Sequence, residues 1–217
     1  MMKLAVLTAA CAALCAAQTE RVPIDNAYVK VIRAHNSPGQ KSQLHQHTVN
    51  RVMIHLDDGQ MRLAYAGGKV SDFKWKAGDV RWDPAGGMHT SQNTGAGSYR
   101  IIEVELKQAG GKPVTFSPLD PVAADPRHYK VLFDNPQVRI VRATYGGGES
   151  GPMHEHALKR LTANLSAQHV RLTLPNGEKR ELSRKAEEVV WSADPARHSE
   201  VNLNKEAFEV ILIELKQ

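Results

Sequence analysis

GPMHEHALKRL, from Gly151 to Leu161, carries two histidines one residue apart and an arginine four residues after the second. Side chains on a strand alternate between faces, so His154 and His156 share one face. Two neutral imidazoles side by side are half of a metal site. By the same parity Arg160 lies on that face too, a cation beside candidate ligands for a cation.

The stretch has an earlier copy. HQH begins at His45 and HEH at His154, an offset of 154 − 45 = 109. The same offset relates Gly39 to Gly148, Arg51 to Arg160, Trp82 to Trp191, His89 to His198 and Asn93 to Asn202. It also relates DNAYVKVIRA (from Asp25) to DNPQVRIVRA (from Asp134), and the ELKQ at Glu105 to the ELKQ at Glu214. No gap is needed, so the chain is a tandem duplication. The halves are expected at 18–109 and 127–217. GGKPVTFSPLDPVAADP, residues 110–126, reads as a linker packed across the surface, extended because its prolines oppose helix.

Each half reads as short strands and turns. VKVIRA and VRIVRATY alternate or run apolar, RVMIHL and RLTANL follow the histidine pairs, and YRIIEVELK and FEVILIELK close the halves. Gly67-Gly68 and Asn176-Gly177 are turn dipeptides inside two hairpins. AEEVVW has a helical composition, but its partner in the repeat, GDVRWD, does not, so both are expected as strands. The class is all-β, with two small barrels or sandwiches. Val52, Ile54 and Leu56 face opposite to Arg51, Met53 and His55, and offer an apolar surface to the other half or to another subunit.

The repeat aligns three histidines per half, His45, His47 and His89 with His154, His156 and His198. Ligands from a strand pair and a distant strand converge only inside a closed or nearly closed sheet. Three neutral nitrogen donors leave open coordination positions, which suits iron, manganese, zinc, nickel or copper. The alternatives are histidines that hydrogen-bond each other, or an ancestral site that has decayed.

The bulk numbers narrow the classes. A formal charge of +5 on 217 residues is spread along the chain, without a basic run interleaved with aromatics, so nucleic acid is not an expected partner. MMK followed by LAVLTAACAALCA and small residues reads as a signal peptide over residues 1–17, cleaved after Ala17 or Ala16. An uncleaved anchor is the alternative. Export to the periplasm or beyond is expected, with no membrane contact after cleavage. Both cysteines, Cys11 and Cys15, fall inside that segment, which leaves no thiolate ligand and no cysteine nucleophile.

The motifs resemble those of the cupin superfamily, and of a bicupin in particular, close to small bacterial cupins of unassigned function. The first cupin motif runs Gly, His-x-His, Glu; here GQKSQLHQHTVNR from Gly39 and GESGPMHEHALKR from Gly148 follow it up to the glutamate. The second runs Gly, Pro, Gly, His, Asn, and GDVRWDPAGGMHTSQN from Gly78 matches throughout. EEVVWSADPARHSEVN from Glu187 keeps His198 and Asn202 but has Glu187, Ala193 and Pro195 at the Gly, Pro and Gly positions. The resemblance covers nearly all of the mature chain. It implies a jelly roll (double-stranded β-helix) per half and a metal on three histidines, usually with the glutamate. That glutamate is absent, and its position falls on Arg51 and Arg160. The intact second motif favours the first half as the better-formed site.

An arginine cannot ligate a metal or lose its charge. It either points into the barrel and grips an anionic substrate, or it folds away onto an acid such as Glu105 or Glu214. His55 and Asn164, the next polar inward positions, are candidate ligand contacts with Arg51 and Arg160. Cupins with three histidines and no glutamate include thiol and ring-cleaving dioxygenases; storage bicupins do no chemistry. The expected protein is an exported, metal-binding bicupin, oxygenase-like toward a small carboxylate-bearing substrate. The alternative is a non-catalytic ligand-binding or structural bicupin. Cupins often dimerise, which makes a homodimer an expectation by analogy.

Overall fold

A computed structural model describes residues 19–111 and 113–217. The segment read as a signal peptide lies outside the described residues. The first half holds β1 (Thr19–Asp25), β2 (Val29–Asn36), β3 (Arg51–His55), β4 (Gly59–Tyr65), β5 (Val70–Trp75), β6 (Val80–Asp83), β7 (His89–Asn93) and β8 (Tyr99–Leu106). After one helical turn, α1 (Pro121–Ala124), the second half holds β9 (Tyr129–Asp134), β10 (Val138–Tyr145), β11 (Ser150–His156), β12 (Arg160–Asn164), β13 (Gln168–Thr173), β14 (Lys179–Arg184), β15 (Val189–Ser192), β16 (Ala196–Asn202) and β17 (Phe208–Leu215).

The offset of 109 carries β2 onto β10, β3 onto β12, β5 onto β14, β6 onto β15 and β8 onto β17 residue for residue. The sheets repeat as well. One half orders its large sheet β1-β2-β8-β3-β6 and the other β9-β10-β17-β12-β15. Across from these stand β5-β4-β7 and β11-β16-β13-β14. The first half's counterpart of β11 is reduced to two bridges, Lys41 with Gln92 and His45 with His89. They keep the register in which Ser150 pairs with Val201 and His154 with His198. The fold is all-β, with two tandem barrels of matching topology.

β17 is buried on both faces, which suits its apolar run Val210–Ile213, and β8 is nearly as buried but carries Glu103 and Glu105 on its inner face. Their outer residues (Ile102, Val104, Leu106, Ile211, Ile213, Leu215) join Val52, Ile54, Leu161 and Ala163 in one core shared by the two halves. The apolar face of β3 therefore packs on the partner half. The interface keeps the repeat's pseudo-symmetry. Arg33 donates to the carbonyl of Glu187, and its repeat partner Arg142 donates to the carbonyl of Gly78. Tyr28 stacks on Trp191 at 5.4 Å between ring centres, and Trp82 on Phe133 at 5.5 Å. Gly78 has φ +88°, and Glu187 keeps that left-handed turn at φ +65° despite its Cβ. Its side chain reaches Arg100 across the interface at 2.6 Å.

Within the stretch expected as an extended linker, residues 118–124 form a turn and the single helical turn α1, while 113–117 hold no regular element. Asp120 caps α1 by accepting from the Val122 amide, and Pro121 sits where its missing N–H costs nothing. The stretch is tied to the second half through Gly111 N–H to the Lys216 carbonyl and Glu155 N–H to the Leu119 carbonyl. Among the described residues no helix is long and apolar enough to cross a membrane.

Candidate metal centres in the two barrels

The inner face of each large sheet and the three cluster histidines meet inside the barrel. His45, His47 and His89 form one group and His154, His156 and His198 another, each with ligand atoms within 4.8 Å of one another. All six histidines expected as ligands are thus gathered, three per half.

The second-neighbour bonds set the tautomers. His45 Nδ1 lies 2.8 Å from the Gln43 carbonyl, and its repeat partner His154 Nδ1 lies 3.0 Å from the Pro152 carbonyl. His89 Nδ1 meets the Gly87 carbonyl at 3.0 Å. A carbonyl accepts only, so in each case Nδ1 holds the proton and Nε2 offers a lone pair. His45 Nε2 and His47 Nε2 stand 3.1 Å apart. The Arg51 N–H aimed at His47 Nε2 makes that nitrogen an acceptor too, so two lone pairs converge without a proton between them. That arrangement is unfavourable alone and relieved by a cation. The donor set fits a divalent transition metal with open positions.

Four of these histidines, His47, His89, His156 and His198, are pushed toward the neutral form that ligands need. Burial, then Arg51, pushes His47 down to about 3. Burial, then His154 and Arg160, pushes His198 down to about 3, and burial with Arg160 holds His156 well below its usual range. His89 is lowered chiefly by burial.

The two arginines line their cavities but differ in what they touch. Arg51 is buried and donates to His47 Nε2 at 2.6 Å, to Asp83 at 2.6 Å and to Glu103 at 3.0 Å. Asp83 lies directly across β6 and Glu103 diagonally on β8. Arg51 thus uses the lone pair that a metal would take on His47. Arg160 is 7% exposed and, among the described residues, its side chain makes only long hydrogen bonds, 3.5 Å to the Leu158 carbonyl and 3.4 Å to the Asp194 carbonyl. It donates to none of the second cluster's nitrogens, of which His154 Nε2 has the Tyr129 hydroxyl at 3.2 Å. The second half is therefore the freer centre, against the expectation from its degraded motif.

The cause is a change of neighbours. Glu214 lies opposite Arg160 on one side and Arg139 on the other. Arg139 takes it, at 2.5 Å, and also grips Asp120 with two bonds of 3.0 and 2.6 Å. In the first half the Arg139 position is Lys30, which reaches Glu105 only at 3.9 Å. The carboxylates that hold Arg51 have no second-half equivalents, since Asp83 aligns with Ser192 and Glu103 with Leu212.

Asn164 lines the second cavity, its Nδ2 bonded to the Glu188 carbonyl at 2.9 Å and its Oδ1 buried without a partner. His55, at the matching position, does not line the first cavity. Its ring packs 4.3 Å from Trp75, with Nδ1 donating to the Asp79 carbonyl at 3.1 Å and Nε2 buried without a partner. β3 turns it inward as parity requires, but the bulky Trp75 and Tyr99 fill that end of the barrel. Burial pushes His55 down to about 4. The unfolded imidazole charges below about pH 6.5 and the folded one only near 4, so stability present above pH 6.5 is lost as the pH falls toward 4. His55→Phe is expected to remove on the order of 2 kcal/mol of the stability difference between pH 7 and pH 4.5, measured by urea unfolding. Equal differences in the two proteins would contradict this role.

Sequence reading passed over four site residues, Asp83, Glu103, Tyr129 and Glu200. Tyr129 donates to Glu200 at 2.7 Å, and its oxygen lies 3.2 Å from His154 Nε2. Burial, then Glu200, raises its pKa well above the usual range, so the phenol stays protonated. The signal for Glu103 was its place two residues before Glu105 on one strand face. Tyr129 and Glu200 carry no repeat signal, since their partners are Glu20 and Ser91.

No protein-family model matches the chain, and no curated protein does. Solved structures do. A cupin 2 conserved barrel domain protein from Leptotrichia buccalis superposes with a TM-score of 0.56 at 15% identity, over 93% of this chain and 90% of its own. AerE from Microcystis aeruginosa gives 0.64 at 12%, over 92% and 98%. An oxalate decarboxylase variant from Bacillus subtilis gives 0.61 at 14%, over 90% and 71%. At these identities the likeness is one of fold.

Proposed function

Because the chain is a bicupin by fold, we propose that it is an exported metal-dependent protein acting on a small carboxylate-bearing molecule. The observation that carries this reading is the pair of three-histidine clusters, each with ligand atoms within 4.8 Å of one another, with the Nε2 atoms of His45 and His47 facing each other in the first. His154, His156 and His198 would hold the metal first, and His45, His47 and His89 a second ion once Arg51 gives way. A bound divalent ion supplies Lewis acidity or oxygen activation through its open positions. The chain's own groups supply the rest. Arg160 orients a carboxylate beside the cluster, and Tyr129, anchored by Glu200, keeps an O–H proton at the cluster's edge. Support for a divalent ion comes also from the Bacillus subtilis oxalate decarboxylase, which has Mn(II) centres.

The contact of Arg51 with His47 favours a second reading for the first half, as a structural or binding partner of the second. Oxygen uptake and product formation, followed over a panel of small carboxylates, separate enzyme from binding module. Protein loaded with the right metal is expected to turn over one of them at least roughly tenfold faster than chelator-treated protein. Binding without turnover, whichever of iron, manganese, zinc, nickel or copper is supplied, would reduce the reading to a binding module.

A further inference from the structure

The two cavities descend from one sequence but no longer have the same chemistry. The first encloses about 310 Å³ and brings Lys30, Arg51 and Arg81 against Asp83, Glu103 and Glu105. Each cation there has an acid within reach: Arg51 has Asp83 and Glu103, Arg81 has Asp83 at 3.4 Å, and Lys30 has Glu105. The second encloses about 480 Å³ and brings Arg160, Arg180, Arg184 and Arg197 against Glu200 alone. Arg180 and Arg184 pair with Glu178 and Glu188. Among the described residues, Arg160 and Arg197 form no ion pair, and Glu200 is already bonded by Tyr129.

Arg160 is the decisive group. Among the described residues its Nε and Nη2 donate no hydrogen bond, and Nη1 makes only the two long carbonyl contacts. Burial pulls its pKa down, the mark of a guanidinium short of solvation. A planar fork with free donors, facing a cavity, matches a carboxylate. One side of the wall is apolar, with Val170, Leu172, Leu182, Phe208, Val210 and Leu212, while Thr162, Asn164, Gln168 and Ser192 add polar groups elsewhere. A cavity of this size and lining takes an apolar body of several carbons with one polar end.

We propose that the second barrel binds a carboxylate carrying an apolar body through Arg160, and that the first barrel, whose Arg51 is neutralised by Asp83 and Glu103, does not. This deepens the functional reading above, on which it rests for the general class of ligand, but the contact itself needs no metal.

Titration calorimetry of the described chain with hexanoate, hexan-1-ol and oxalate tests it, in chelator-treated and in metal-loaded protein. Hexanoate is expected to bind in both preparations, and hexan-1-ol and oxalate roughly ten- to a hundredfold more weakly. Arg160→Gln should weaken hexanoate by the same factor, and Arg160→Lys, which keeps charge without the fork, should fall between. Arg62→Gln, at an exposed pair with Asp72 outside both cavities, should leave hexanoate affinity within about twofold. Loss of binding in Arg51→Gln but not in Arg160→Gln overturns the assignment. So does a wild type that binds hexan-1-ol as well as hexanoate, a comparison that needs no variant to fold. Metal uptake without hexanoate binding would defeat this inference and leave the metal reading standing. Hexanoate binding through Arg160 in a chain that takes up no metal would do the reverse.

Discussion

His156→Ala is expected to lower divalent-metal affinity at the second cluster by roughly a hundredfold or more and to remove one ion per chain. His156, at the end of β11, is buried and belongs to the candidate cluster, and Arg160, at the start of β12, lines the same cavity. The loss should show in stability as well. An ion supplied at a hundred times its Kd stabilises the folded chain by about 2.7 kcal/mol per site, so the metal-induced rise in unfolding free energy should fall by about that amount in the variant. His47→Ala is the matched control for the first cluster, where Arg51 competes for the same nitrogen. An unchanged ion count in both variants would mean that the histidines only pack against one another.

Arg139→Leu is expected to cost about 3–5 kcal/mol of folding stability, read as a lower denaturant midpoint. Arg139 is 4% exposed and bridges Asp120 and Glu214, which are 6% and 2% exposed. Removing the guanidinium strands two buried carboxylates. Glu214 is already pushed up by burial and held down by Arg139, so without Arg139 it must protonate or draw in water. The guanidinium also lies 3.6 Å over the Phe116 ring, which ties the inter-barrel stretch to β10. Arg139→Lys should lose less, since Lys30 plays the point-charge version of this part opposite Glu105. A midpoint shift equivalent to less than about 1 kcal/mol for Arg139→Leu would show the network to be replaceable.

Much of this was legible in the residues. One offset of 109 predicted which strands repeat, and strand parity placed Arg51 and Arg160 on the histidine face and Val52 and Ile54 against the other half. Parity holds within β3, where Val52 and Ile54 turn to the other half. Arg51 and Arg160 reach the histidine cavities from separate strands, since β11 ends at His156 and β12 begins at Arg160 while His45 and His47 lie outside the named strands. What escaped depends on register and depth. Arg139 and Lys30 stand at matching positions, but only the pairing of β10, β17 and β12 reveals that Arg139 withdraws Glu214 from Arg160. Glu103 reaches Arg51 diagonally, a neighbour that no repeat announces. His55 obeys parity yet lies beyond the cavity, because the size of Trp75 and Tyr99 sets where the barrel closes. Asp120 overrides its prolines by capping one helical turn.

The central claim is that the clustered histidines hold metal. Its most direct test is the metal inventory of the protein purified natively without a histidine tag, then loaded with iron, manganese, zinc, nickel and copper in turn. The account predicts roughly one to two ions per chain, with the first at His154, His156 and His198. Less than about a tenth of an ion per chain under every loading would contradict it.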